Sequence, residues 1–431
     1  MDTSLLAWYL APAAALMAFY VWRRRRSESE HARELAGSIA AGLTEPPSLH
    51  PVVDPLRCIG SGGCVRACPE KALGIVDGRA TLVAPASCIG HGACEATCPV
   101  QAITLVFGTE RRGVDIPRVD PHFETNVRGV FIAGELGGMG LIRKASEQGR
   151  QAIRTIASRP RASAPLDVLI VGAGPAGIAA GLAAIDAKLR YRLIEQEPDL
   201  GGSVFHYPRH KIAMTQPVEL PVVGTMRFTE VSKEALLAFW RRIVGGTGLR
   251  IHYSERFEKL EGQAGAFRVV TSRGSYDAGQ VLLAIGRRGT PRKLGVEGEE
   301  LPKVVYRLVD PAQYRGQRVL VVGGGDSAVE AALACASEQG TEVTLAYRGE
   351  AFNRIKAANR ERLEAARAEG SLDVLTSTDV ARIVPDHVVL VVAGTERRVR
   401  NDRVIVQAGG ILPTELLRSI GIEVETKFGS S

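Results

Sequence analysis

No C-x-x-C occurs anywhere in the 431 residues, which removes the dithiol signature of thiol-disulfide exchange. Cysteines spread for pairing through a secreted fold are missing too. Of seven, six fall between Cys58 and Cys98 and Cys335 stands alone, a clustering that points to a metal centre. A broad positive surplus is also lacking. The net charge is +7, and four of those charges are the run Arg23 to Arg26, which excludes a dispersed nucleic-acid footprint and a nucleic-acid partner. No nucleophile elbow or catalytic His-carboxylate pair stands out, so no catalytic residue is assigned. What the chain does have is length for about three domains and 47 glycines, a surplus that hints at nucleotide-binding turns.

Leu5 to Trp22 is free of charge over eighteen residues and is followed by Arg23 to Arg26. That length just spans a bilayer core. A signal peptide would carry its positive charges before the apolar stretch, so residues 1–22 read as an uncleaved transmembrane anchor. The Arg run places the rest in the cytoplasm, at the inner membrane. A buried or interfacial helix is the alternative, because Pro12 and the alanines keep the stretch only moderately apolar. Residues 23–49, with Pro46 and Pro47 near their end, read as a partly helical juxtamembrane spacer.

Residues 58 to 69 read C-I-G-S-G-G-C-V-R-A-C-P and residues 88 to 99 read C-I-G-H-G-A-C-E-A-T-C-P, one design repeated thirty positions later. Both copies follow the bacterial two-cluster run C-x2-C-x2-C-x3-C-P except at the second ligand, where Ser61 and His91 stand. Residues 50–108 resemble a bacterial ferredoxin domain. The resemblance implies that Cys58, Cys64 and Cys98 hold one iron-sulfur cluster and that Cys88, Cys94 and Cys68 hold the other. Three thiolates leave one cluster corner open. Ser61 or His91 fills it, or that corner iron is absent and the clusters are 3Fe-4S rather than 4Fe-4S. A tetrahedral zinc site of three Cys and one His is the alternative use of these donors.

Asp167 to Gly172 is a strand pattern entering G-A-G-P-A-G, with Gly172, Gly174 and Gly177 at the motif positions and Pro175 and Ala176 between. A helix pattern follows, then a strand from Tyr191 to Ile194 that ends on Glu195, eighteen positions past the last Gly. In that context the helix N-terminus faces a pyrophosphate and the carboxylate holds a ribose hydroxyl. Arg318 to Val322 and G-G-G-D-S-A repeat the plan. Gly323 and Gly325 serve the turn, Asp326 and Ser327 open the helix, and Ala328 replaces the last Gly. Here the second strand ends at Tyr347-Arg348 with no carboxylate, and Arg354 and Lys356 lie downstream. Arg348 and Arg354 favour a 2'-phosphate, hence NADPH over NADH, against the alternative of an ordinary solvated Arg348.

Two such turns, with A-I-G-R-R-G-T-P-R from Ala284 between them and Q-A-G-G-I-L-P from Gln407 after, resemble the thioredoxin-reductase-like flavoproteins, including the bacillithiol-disulfide-reductase-like branch, over residues 166 to 422. The resemblance implies FAD on the first turn, with Gly202 and Gly286 beside it, NAD(P)H on the second, and a dimer. The family's C-terminal strand and G-D pair at the flavin ribityl chain are missing after Gln407. The equivalent piece stands earlier, as V-D-P-H-F-E-T-N-V-R-G-V-F-I-A-G-E from Val119, with Gly134 and Glu135 at the ribityl position. This implies a circular permutation.

The expected architecture is therefore α/β: two Rossmann-like dinucleotide-binding domains, a small ferredoxin-like iron-sulfur domain and one N-terminal transmembrane helix. Its segments are 1–22 and 23–49, the ferredoxin-like 50–108, the ribityl segment 109–157, the linker 158–165, the FAD domain 166–293, the NAD(P) domain 294–402, and a return to the FAD domain over 403–431. The family's redox dithiol is absent. Tyr306 to Asp310 stand at one of its places, Ala176 at the other, and Cys335 reads as an inert core thiol. His206, Tyr207, His210 and Lys211 follow Gly201-Gly202, where the family lines the flavin face, although a loop His with its own partners is commoner. The function expected is a membrane-tethered NAD(P)H-dependent FAD/iron-sulfur oxidoreductase whose electron partner is a quinone, a ferredoxin or another redox protein. A flavin-only quinone or small-disulfide reductase with a structural metal region is the second reading, and a nucleotide-binding sensor without turnover the third.

Overall fold

The computed structural model describes residues 3–46, 49–110, 113–138, 140–209, 211–287, 290–352, 355–411 and 413–429. Two units separate: Met1–Val114 with Asn353–Ala357 and Lys427–Ser431, and Asp115–Phe352 with Ala358–Thr426.

In the first unit a single helix runs over Thr3–Ala40. It does not loosen after the Arg run, because its second half is tied to the segment that follows the first cysteine repeat. The backbone N–H of Ile75 donates to His31 Nδ1 at 3.1 Å, that of Gly78 donates to Glu28 Oε1 at 2.6 Å, and Ser38 Oγ donates to the carbonyl of Val83 at 2.7 Å. The loosely helical spacer expected over 23–49 is thus an ordered helix as far as Ala40, and Pro47 lies outside the described residues. The membrane anchor is not supported either. Among the described residues no helix is long and apolar enough to cross a membrane. The inner-membrane placement is likewise without support here.

The cysteine repeats sit in two matching halves. Strand His50–Val53 pairs antiparallel with Ile103–Val106, and Leu73–Val76 forms a hairpin with Arg79–Leu82. Each repeat enters a short helix, Gly63–Ala67 or Ala93–Ala96, that carries its middle cysteine. The backbone itself repeats. Gly60 and Gly90, Gly62 and Gly92, and Lys71 and Gln101 all take left-handed φ between 51° and 79°.

The second unit is built on two large sheets. The first has strands in the order Ile251–His252, Tyr191–Ile194, Leu166–Val171, Gly274–Leu283, Ala266–Thr271 and Phe257–Gln263, the first four running parallel. Apolar runs such as V-L-I-V at 168–171 are buried on both sides, as parallel strands covered on two faces require. The early segment Val130–Ile132 joins this sheet, parallel to Gly274–Leu283. Its helix Ile142–Ala157 shares one core with helix Pro175–Asp186, through Ile153, Ile156, Ile178 and Leu182. The other face packs Phe257, Phe267, Leu417 and Ile422. The chain's late piece fastens to the early one: Asn126 Nδ2 donates to the carbonyl of Gly421, and Asn126 Oδ1 accepts from the N–H of Glu423, both at 2.9 Å.

The second sheet is parallel, in the order Val304–Val305, Arg403–Val406, Arg318–Val322, Glu342–Ala346 and Asp373–Leu375. A separate antiparallel three-stranded sheet, Thr378–Ile383, His387–Val392 and Thr395–Arg400, contributes Val388 and Leu390 to the same core. The return to the first core expected from residue 403 therefore starts later. Strand Arg403–Val406 belongs to the second sheet, and helix Thr414–Ile420 is the first late element to place a residue, Leu417, in the first core.

Helix Ile142–Ala157 approaches its neighbour through Gly149, where a Cβ would lie 2.0 Å from the carbonyl oxygen of Ala176. Gly149→Ala should cost about 1–3 kcal/mol through forced separation of the helices. Gly245→Ala, with nothing within 4 Å of the new methyl, should gain up to about 1 kcal/mol of helix stability. Thermal unfolding of the two variants checks this: the midpoints should move in opposite directions.

Candidate functional site

Within each cysteine set the thiols are electrostatic neighbours. Burial pushes the Cys64 thiol up, and Cys58 and Cys98 are the thiols that push it further. Burial likewise pushes Cys94 up to about 11, with Cys88 and Cys68 adding to the effect. Backbone donors aim at the sulfurs: Ala80 N–H to Cys58 at 3.3 Å, Ala102 N–H to Cys98 at 3.2 Å and Ala72 N–H to Cys68 at 3.3 Å. Donors of this kind stabilise thiolates bound to iron-sulfur clusters. Among the described residues no three His, Cys, Asp or Glu side chains gather closely enough to hold a single metal ion. Ser61 is exposed, whereas His91 lines a small cavity with Cys68, Cys88 and Cys94.

The first glycine-rich turn is shaped by what its residues lack. Gly172 has φ +104°, and a Cβ there would lie 2.6 Å from the carbonyl oxygen of Ala284. At Gly177 a Cβ would meet the carbonyl oxygen of Gly172 at 1.7 Å, so only glycine lets the helix close onto the strand. Gly174 caps the helix and Pro175 occupies its first turn, where a missing N–H costs nothing. The cradle fits a pyrophosphate at the helix N-terminus. Gly202 closes against Gly174, a Cβ there lying 3.0 Å from Gly174 Cα. Glu195 is 5% exposed at the end of its strand and accepts from the N–H groups of Ala173 and Glu197 at 2.6 and 3.0 Å. Burial raises its carboxyl above the usual range.

The early segment supplies part of the same cradle. Gly134, at φ +87°, would place a Cβ 3.1 Å from that of Ala176, and its N–H donates to Gln148 Oε1 at 2.8 Å. Glu135 opens a short 3-10 helix, Glu135–Gly137. Gln148 carries no sequence signal, since it sits in an amphipathic helix beside the buried Gly149. Gly286, at φ +69°, follows the strand end at Leu283, and Arg288 and Gly289 lie outside the described residues.

At the second turn Gly323 has φ +148°, and a Cβ would lie 2.4 Å from the carbonyl oxygen of Gln407. Gly325 caps helix Asp326–Ala336. Asp326 accepts from Asn359 at 2.7 Å, a buried partner drawn from the polar stretch A-A-N-R-E-R that gave no hint of it. Tyr347 leans over the turn, its ring 2.1 Å from where a Gly324 Cβ would stand, and stacks on Phe352. Ser327 is half-buried, and Arg348 is exposed and in no ion pair among the described residues. Arg354 lies outside the described residues.

The residues after Gly201-Gly202 have partners of their own. His206 Nε2 stands 3.3 Å from Glu197 and its other ring nitrogen meets Arg307, while Lys211 pairs with Glu330 at 2.7 Å. Tyr207 packs on the first core, and His210 lies outside the described residues. Cys335 is fully buried in its helix, and burial pushes its thiol up to about 12, which makes it inert as a nucleophile. Ala176 is 4% exposed.

Residues 169–429 match the pyridine nucleotide-disulphide oxidoreductase family, and residues 50–99 match a 4Fe-4S dicluster domain. A ferredoxin--NADP reductase from Thermus thermophilus is 35% identical over 226 residues, 51% of this chain and 64% of that protein. The chain thus spans under two thirds of this relative's length. The ferredoxin--NADP reductase of Ignicoccus hospitalis is 32% identical over 61% of this chain and 83% of its own. Among solved structures, the bacillithiol disulfide reductase Bdr of Bacillus cereus superposes with a TM-score of 0.55 at 26% identity, over 60% of this chain and 82% of that one. The glycine cradles, the two large sheets with their parallel centres and these matches make the chain a member of the pyridine nucleotide-disulphide oxidoreductase family that also carries a 4Fe-4S dicluster domain.

Proposed function

We propose that this flavoprotein passes electrons between NADPH, FAD and iron-sulfur clusters held by its own cysteines. One observation carries the reading: two sets of three thiols, Cys58, Cys64, Cys98 and Cys68, Cys88, Cys94, stand in a chain whose dinucleotide-binding unit has its one cysteine sealed. FAD, when bound, supplies the exchange between two-electron and one-electron chemistry. Glu195 would hold a ribose hydroxyl, and the N–H groups at the start of helix Pro175–Asp186 would face the pyrophosphate. Gly134 and Glu135 would flank the ribityl chain. Gly323, Gly325, Asp326 and Ser327 would receive the nicotinamide cofactor, with Arg348 on its 2'-phosphate. The relatives named ferredoxin--NADP reductase support a ferredoxin-like one-electron partner.

We read residues 119–157 as a displaced part of the FAD domain. Strand Val130–Ile132 supports this by pairing inside the first sheet, and Gly149 by its contact with Ala176. The names of the Bdr structures favour a second reading, a flavin-only reductase of a small disulfide.

Cys64→Ala separates the two. Under the proposed function FAD is retained, and NADPH-driven reduction of a one-electron acceptor falls by an order of magnitude or more. Unchanged turnover in a folded variant would establish the flavin-only reading. Arg348→Ala should raise the KM for NADPH about tenfold, some 1.4 kcal/mol of binding, and leave the KM for NADH alone. Steady-state kinetics with both cofactors measures this, and equal values for NADPH would make Arg348 an ordinary surface arginine.

A further inference from the structure

The two cysteine repeats share a backbone but not a fourth ligand. At the position three residues after the first cysteine, one copy has Ser61 and the other His91. Ser61 is exposed to solvent. His91 faces the other way in chemical terms: its Nδ1 is buried without a hydrogen-bond partner, and the residue lines the cavity that Cys68, Cys88 and Cys94 also line. A buried imidazole nitrogen left unpaired is costly unless something outside the protein's own polar groups meets it.

We propose that the two clusters are built unequally: His91, through Nδ1, completes the one held by Cys68, Cys88 and Cys94, while Ser61 leaves the one held by Cys58, Cys64 and Cys98 open to a small ligand from solvent. This rests on the iron-sulfur reading above. Ligation through Nδ1 requires the neutral imidazole with its proton on Nε2. Among the described residues one further side-chain atom in that cavity competes, since Glu70 Oε1 is also buried and unpartnered. Glu70 lies beyond the last cysteine and Pro69 of the first repeat, whereas His91 occupies the ligand position of the second, three residues from both Cys88 and Cys94. Position in the repeat favours the histidine.

Unequal ligation has a direction. Replacing a thiolate by a neutral imidazole removes one negative charge from the cluster and its ligands, which raises the reduction potential. The His91 cluster would therefore be reduced first. The Ser61 corner, lacking a strong protein donor, would take water, hydroxide or a small thiolate and lose its iron most readily on oxidation.

Pulsed electron paramagnetic resonance on the full-length protein, reduced and grown with 15N-histidine, reads the first half directly. A strong histidine nitrogen coupling is expected on one reduced cluster and should vanish in His91→Cys, whose cluster should also reduce at a lower potential. Mild oxidation of the wild type is expected to give a three-iron signal from one cluster, which Ser61→Cys abolishes by supplying the missing thiolate. Clusters present without histidine coupling, as with Glu70 as ligand, would overturn the inference and leave the electron-transfer function standing. So would a three-iron signal that Ser61→Cys leaves unchanged. Zinc, or no metal beyond traces, would overturn both.

Discussion

Backbone meets backbone at the first glycine-rich turn, and most of the flavoprotein unit is arranged around that contact. Gly177 lets its helix close on the carbonyl of Gly172, and Gly149 lets a second helix close on the carbonyl of Ala176 from the other side. One short stretch, 172 to 177, is thereby held between a strand, the helix that follows it and the helix that precedes the strand. A methyl group on either glycine would separate layers that share a dozen buried side chains, among them Ile153, Ile178 and Leu182. The cofactor cradle is the surface left free by this packing, so its shape follows from the core rather than from loop conformation.

Much of this could be read in the sequence because its signals are local. The turn at 172–177 declares itself through spacing, and Glu195 through its place at a strand end. The cysteine repeat predicts even the backbone, since the same left-handed positions recur thirty residues apart. Reading failed where the signal is long-range. Nothing in S-E-S-E-H-A-R-E-L marks Glu28 and His31 as acceptors for backbone N–H groups fifty and forty-four positions away. Gln148 and Asn359 are ordinary polar residues on helices until the tertiary fold brings Gly134 and Asp326 to them. Strand Arg403–Val406 pairs with Arg318–Val322, and alternation, which identifies a strand, does not name the sheet it joins.

The N-terminal helix joins an uncharged stretch to a segment with polar work to do. Eighteen uncharged residues resemble a span, yet six of them are alanines and the helix carries on through four arginines into a segment tied to the ferredoxin-like hairpin. Length without charge is a necessary property of a membrane helix, and here the helix's other half has a clear water-side task. Its polar residues satisfy hairpin groups that a two-stranded ribbon leaves unpaired at its edge.

The early strand has a consequence for how the chain reaches this fold. Val130 pairs with Val281, a separation of about 150 residues that makes the contact slow to find. During synthesis the cysteine repeats emerge complete and can fold from local contacts, while the strand at 130–132 and its helix must wait, apolar faces uncovered, for the partner strand. The protein is thus biased to mature in order, from its metal-binding end toward its nucleotide-binding end.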